Sequence, residues 1–201
     1  LQAWLETHYP RLPQAFSTEA MRLDRLALMQ AEPTRAHDLS YIRRECLARH
    51  AVQVGYTPAV AAAAFEVFLA ARNELQLFVD VQPALAELGQ RFRLASLTNG
   101  NADLTRVGIR DWFTVSLTAA DVGAAKPHAQ AFEATLRALD LRAAEVVYVG
   151  DDPHLDVAGA RAAGLRTVWM NRNAAPWPDE LEPADITVAD CRELARLLTA
   201  T

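Results

Sequence analysis

The stretch Val146-Val147-Tyr148-Val149-Gly150-Asp151-Asp152-Pro153-His154-Leu155-Asp156 decides the fold. Its first four residues are a compact apolar run, three of them valine, and read as a buried strand. A glycine, two acids, a proline and a third acid follow at once. Three carboxylates packed into six positions repel one another. A hard divalent cation resolves that repulsion, and Mg²⁺ takes one or two carboxylates together with water and substrate phosphate. The plainer alternative is that Asp151, Asp152 or both cap the helix that follows. Asp156 falls inside the first helical turns, so Asp152 and Asp156 are expected to orient the site rather than to bind a metal directly.

The same alternation extends outward from this stretch. Upstream, Pro83 to Leu88 predicts a short helix closed by Gly89, and Phe92 to Leu97 a buried strand. Val115 to Leu117 predicts a second strand, and Ala129 to Leu139 an amphipathic helix. Downstream, Val157 to Ala163 reads as helix ended by Gly164, Thr167 to Met170 as strand, Ile186 to Val188 as strand and Arg192 to Leu198 as helix. Asn173 to Pro183, with three prolines, is a loop. Strands alternating with helices imply right-handed βαβ units and a parallel sheet. Before about residue 75 no strand signal occurs. Ser17 or Thr18 and then Asp38 are candidate caps, Pro33 a stop, Gly55 a terminator and Pro58 a first helical residue. The expected organisation is a helical region over 1–78 and an α/β, three-layer, Rossmann-like core over 79–201.

Bulk properties restrict the function. The chain has 201 residues, 51% of them apolar, enough for a sizeable core. A net charge of −5 without a basic block argues against nucleic acid as a partner. The most apolar run, Pro58 to Ala71, is too short to span a bilayer, so no membrane partner is expected. Cys46 and Cys191 are far apart with no metal-ligand spacing, which suits a reducing, cytoplasmic setting.

Ligands of open α/β sheets bind beyond the carboxyl ends of the strands. After the first strand stands Thr98-Asn99-Gly100-Asn101, a hydroxyl, a carboxamide and a flexible glycine where backbone N–H groups can cradle an anion. By itself this is also an ordinary capped turn. Ahead of the helix at Ala129 stands Ala125-Lys126-Pro127-His128. Its lysine can aim an ammonium at the strand ends, or simply be a solvated loop residue.

Taken together and in this order, these three junctions resemble the haloacid dehalogenase superfamily in its phosphatase-like branch. Thr98 with Asn99 and Gly100 matches the family's second motif, Lys126 with Pro127 its third, and Gly150, Asp151 and Asp156 its fourth. The helical region resembles the small helical cap inserted after the family's first strand. The resemblance covers essentially the whole chain. It implies a Mg²⁺-dependent phosphatase acting on a small phosphorylated metabolite, as a monomer or homodimer. In that scheme Thr98 and the Asn99 N–H bind the phosphoryl oxygens with Gly100 beside them. Lys126 offsets the charge on nucleophile and phosphate, and Asp151 holds Mg²⁺.

The family's first motif, Asp-x-Asp at the end of the central strand, has no counterpart here. Loss of a central strand strips ladder hydrogen bonds from both neighbours. The natural protein is therefore expected to begin roughly 15–25 residues earlier, one strand plus a turn, with the nucleophile upstream of residue 1. The resemblance also leaves rivals. Dehalogenases on this fold need no metal and use an Asn-containing fourth motif, against which Gly150-Asp151-Asp152 stands. A phosphomutase and a catalytically inactive binding or dimerisation protein are the others. Arg43, Arg44 and His50 are candidates for reaching the substrate from the cap, or else the solvated face of a helix.

Overall fold

A computed structural model describes residues 1–200. The chain divides into two compact units, residues 1–75 with 100–107, and residues 76–99 with 108–201.

The first unit is all-helical: α1 (Gln2–His8), α2 (Arg11–Ala15), α3 (Thr18–Ala31), α4 (Leu39–Gln53) and α5 (Val60–Asn73). Ser17 and Asp38 cap α3 and α4 by accepting from the Ala20 and Tyr41 N–H groups. Gly55 takes a positive φ just past α4. Helix α5 starts at Val60 rather than Pro58, because Thr57 and Pro58 form a turn whose carbonyls accept from Val60 and Ala61. Leu5, Leu12, Met21, Leu47, Ala51 and Ala64 make its core.

The second unit carries α6 (Val81–Gly89), β1 (Ala95–Thr98), β2 (Val115–Thr118), α8 (Ala119–Val122) and α9 (Ala129–Leu139). It continues through β3 (Val147–Gly150), α10 (Gly159–Ala162), β4 (Arg166–Met170), β5 (Ile186–Val188) and α11 (Cys191–Thr199). Short helix α7 (Leu104–Val107) groups with the first unit. Every ladder is parallel, as the βαβ pattern required. Helices α6 and α11 pack on one side of β4 and β5 through Ala84, Leu88, Val168, Val188 and Leu194. Phe132 of α9 and Ala160 of α10 pack with Leu165 and Tyr148 in a separate cluster. This is the three-layer α/β arrangement, a Rossmann-like fold.

Several details differ from the sequence reading. The strands form a pair, β1-β2, and a triplet, β3-β4-β5, with no ladder between β1 and β3 among the described residues. Both were expected to be buried, yet β1 is only half-buried and β3 alternates, with Val147 and Val149 38% and 36% exposed. A strand hydrogen-bonded on one edge leaves the other edge and the flanking side chains uncovered. The strand predicted from Phe92 begins at Ala95, because Phe92 donates back to the Leu88 carbonyl and closes α6 instead. The helix expected directly after Thr98 starts only at Leu104.

Residues 100–107, expected in the core, group with the helices. Asn101 donates to the Ser40 hydroxyl at 3.2 Å, and the Asp103 N–H to the Asn73 carboxamide at 2.8 Å. The helix predicted over Val157 to Ala163 starts earlier, as a π-helical turn over Pro153–Ala158, and α10 continues it. No helix among the described residues is long and apolar enough to cross a membrane.

Candidate active site

Gly150 lets the third acid approach. A Cβ at this position would lie 2.3 Å from the Asp156 carboxyl carbon, so only glycine leaves room. The wide π-turn after Asp152 brings Asp156 back beneath the strand end, a geometry often found at functional sites. There Asp156 is 4% exposed and fully engaged. One oxygen accepts from the Asp151 and Asp152 N–H groups at 3.1 and 3.0 Å. The other accepts from Lys126 Nζ at 2.6 Å and the Tyr148 hydroxyl at 3.0 Å. Asp156 therefore shapes the loop and holds the lysine.

Lys126 is fixed at both ends. Its backbone N–H donates to Asn99 Oδ1 at 2.8 Å, and its carbonyl accepts from Asn99 Nδ2 at 2.9 Å. Its ammonium donates to Asp156 and, at 3.0 Å, to the Tyr148 hydroxyl. An ammonium has three donors, so one remains. Burial first, then the Asp156 charge, pushes the Tyr148 phenol far above its ordinary range, and it stays a neutral bridge.

The two remaining acids differ. Asp152 caps the π-turn, one oxygen accepting from the His154 and Leu155 N–H groups at 2.9 and 2.8 Å. Asp151 is exposed, and its carboxylate has no hydrogen bond or ion pair among the described residues. Its carbonyl accepts from the Trp169 indole N–H at 2.9 Å, which pins the backbone from β4. No group of three or more His, Cys, Asp or Glu capable of holding a metal occurs among the described residues. One unpaired carboxylate at a strand end nevertheless fits Mg²⁺, which needs one or two carboxylates and otherwise keeps water and phosphate.

A connected path thus runs from the end of β1, where Thr98 precedes Asn99, through Lys126 and Asp156 to Asp151. Gly100 lies just past this path, where the chain leaves for the helical unit. The Asn99 clamp, Tyr148 and the Trp169 indole were missed by sequence reasoning. Asn99 was assigned through its N–H, and Tyr148 and Trp169 were read only as parts of strands. His50 was expected near the substrate or on a solvated face. It is instead 4% exposed and bonded to Asp24. The Arg43 and Arg44 guanidiniums lie over Phe68 and Phe65. A separate groove of about 400 Å³, lined by Glu133, Arg137, Asp140 and Arg142, contains none of the strand-end residues.

Residues 3–164 match the family of haloacid dehalogenase-like hydrolases, and the chain belongs to that family. Among characterised relatives, the phosphoserine phosphatase of Thermus thermophilus is 37% identical over 75% of this chain and 63% of its own length. The 5-amino-6-(5-phospho-D-ribitylamino)uracil phosphatase of Escherichia coli is 26% identical over 98% of this chain and 83% of its own. The 2-haloacid dehalogenase of Pseudomonas syringae pv. tomato superposes with a TM-score of 0.90 at 35% identity, covering 99% of this chain and 87% of that one. The chain therefore spans a little under two thirds of the phosphoserine phosphatase.

Proposed function

We propose that the protein is a Mg²⁺-dependent phosphatase of small phosphorylated metabolites, working through an aspartyl-phosphate. The observation that carries this reading is the linkage through Asp156, which accepts both from the N–H of Asp151, whose carboxylate is unpaired among the described residues, and from a lysine clamped by Asn99. Those two features suit the two charges a phosphoryl transfer must manage, a metal ion and a dianionic phosphate monoester. The phosphatases among the relatives support it.

Asp151 would hold Mg²⁺, which when bound neutralises charge on the phosphoryl oxygens. Lys126 turns its remaining donor toward the transferring group. The Thr98 hydroxyl and Asn99 N–H, at the end of β1, would hydrogen-bond phosphoryl oxygens. Because Lys126 is held before substrate arrives, little reorganisation is needed as charge develops. The helical unit would select the substrate. The reading includes a cytoplasmic protein, monomeric or homodimeric.

The structural likeness to a 2-haloacid dehalogenase supports a second reading, carbon–halogen hydrolysis on the same fold. One experiment separates the two: the gene product is given an aryl phosphate and a 2-haloacid, each with Mg²⁺ and with EDTA. Phosphate release that needs Mg²⁺ is expected. Halide release in EDTA, without phosphate release, overturns the phosphatase reading.

A further inference from the structure

Lys126 is the only lysine among the 201 residues; every other member of the 20 Lys and Arg side chains is arginine. A planar guanidinium forks onto a carboxylate, as Arg172 does on Asp80. An ammonium instead sends three donors in three directions. At the end of β3 Tyr148 shares those directions out. The Lys126 ammonium donates to Asp156 Oδ1 at 2.6 Å and to the Tyr148 hydroxyl at 3.0 Å. The same hydroxyl donates to Asp156 Oδ1 at 3.0 Å. Nζ, the phenol oxygen and Oδ1 close a triangle, all of it within the second unit.

The hydroxyl has two effects there. It gives the ammonium a second anchor. A lysine held by one carboxylate oxygen can pivot about that bond, whereas one held by two fixed acceptors keeps its third N–H in one direction. The phenol is a firm anchor, because the fully buried Phe132 meets its ring edge-on with centroids 5.1 Å apart. The hydroxyl also completes Asp156. A carboxylate has about four lone-pair sites. The Asp151 and Asp152 N–H groups, the Lys126 ammonium and the Tyr148 hydroxyl occupy them. Asp156 then has no site left to draw the third lysine proton back or to compete with Asp151 for a cation.

We propose that Tyr148 is a positioning residue: its hydroxyl fixes the direction of the free Lys126 N–H and keeps Asp156 closed to further partners. The anchor itself is independent of the phosphatase reading, whereas its effect on turnover rests on that reading.

Tyr148→Phe keeps the ring and removes the anchor. In protein labelled with ¹⁵N-lysine, the Lys126 ammonium, assigned by its loss in Lys126→Arg, should give a ¹H–¹⁵Nζ cross-peak at neutral pH, protected from exchange by its two bonds. Tyr148→Phe should lose that cross-peak. In phosphate release with Mg²⁺, it should lower kcat about ten-fold and leave KM within about two-fold, because the free N–H meets charge that grows during transfer. A role in folding alone would leave both the cross-peak and the kcat of the folded fraction unchanged. A freely exchanging Lys126 ammonium in the unmutated protein overturns the proposal, whether or not Tyr148→Phe folds. So does an undiminished kcat in Tyr148→Phe. An unmutated protein that releases no phosphate with Mg²⁺ defeats the phosphatase reading instead, and the cross-peak then decides the anchor.

Discussion

Two buried ion pairs, one at the β3 end and one across the α6–α11 layer, look alike and do different things. Lys126 meets Asp156 at 2.6 Å, and Arg172 meets Asp80 at 2.6 Å. Each carboxylate also accepts from backbone, Asp156 from residues 151 and 152, Asp80 from the Cys191 N–H at 2.7 Å. Asp80 receives both guanidinium nitrogens, at 3.2 and 2.6 Å, and Arg172 lies over Phe78. That pair closes on itself and ties the start of α6 to the start of α11. The lysine pair stays open: a donor is left over, and the carboxylate of Asp151, whose N–H bonds Asp156, has no partner among the described residues. A buried ion pair alone therefore does not mark a site. The incomplete satisfaction around it does.

Mutations that open the first pair should cost turnover, and mutations that open the second should cost stability. The largest expected effects are Lys126→Ala and Asp151→Asn, each lowering turnover by at least about 100-fold in steady-state phosphate release, as loss of comparable fixed donors does. Asp151→Asn should leave the denaturation midpoint nearly unchanged, since its carboxylate bonds nothing among the described residues. Asp80→Ala should lower stability by about 3 kcal/mol in urea titrations, because it strands a partly buried guanidinium, while turnover of the folded fraction stays near normal. Equal loss of turnover in Asp80→Ala and Lys126→Ala would erase the distinction.

Gly150→Ala should show both signatures at once. Its Cβ would collide with Asp156, costing about 1–3 kcal/mol and displacing Lys126 with it. Acid titration sharpens the stability side. The Arg172 guanidinium, assisted by the Cys191 N–H, holds the Asp80 carboxyl well below its usual range. Its contribution is fully present above about pH 4, where the unfolded carboxyl ionises, and is lost as pH falls toward the lower folded value. Asp80→Asn should remove that part of the acid dependence in pH-jump unfolding curves. The smallest effect belongs to Trp169→Phe. Losing one indole bond to the Asp151 carbonyl, worth about 1 kcal/mol, should weaken Mg²⁺ binding roughly five-fold by calorimetry.

What the sequence made legible was local. Ser17 and Asp38 announce their helices because a capping oxygen acts within three residues. The run ending in Gly150 and the amphipathic pattern from Ala129 carry their own periodicity. What escaped was long-range. Asn99 clamps a lysine 27 positions away, and Arg172 finds an aspartate 92 positions back. No spacing rule encodes either. Tyr148 was hidden for a different reason: an apolar strand reads as core, and a phenol within it gives no sign that its hydroxyl bridges a lysine and a carboxylate. His50 looked like a surface residue because Arg43, Arg44, Glu45 and Arg49 precede it on the same helix. The exposed flanks of β3 go with an edge that carries no ladder among the described residues, which periodicity alone does not show.

The central claim is that the carboxylate at 151 and the ammonium at 126 face one shared space for a metal ion and a phosphoryl group. Its most direct test is a crystal of the protein grown with Mn²⁺ in place of Mg²⁺ and with orthovanadate. The account predicts a manganese anomalous peak on the Asp151 carboxylate and vanadate oxygens within hydrogen-bond distance of Thr98 and Lys126 Nζ. Manganese bound elsewhere, or vanadate away from Lys126, would contradict it.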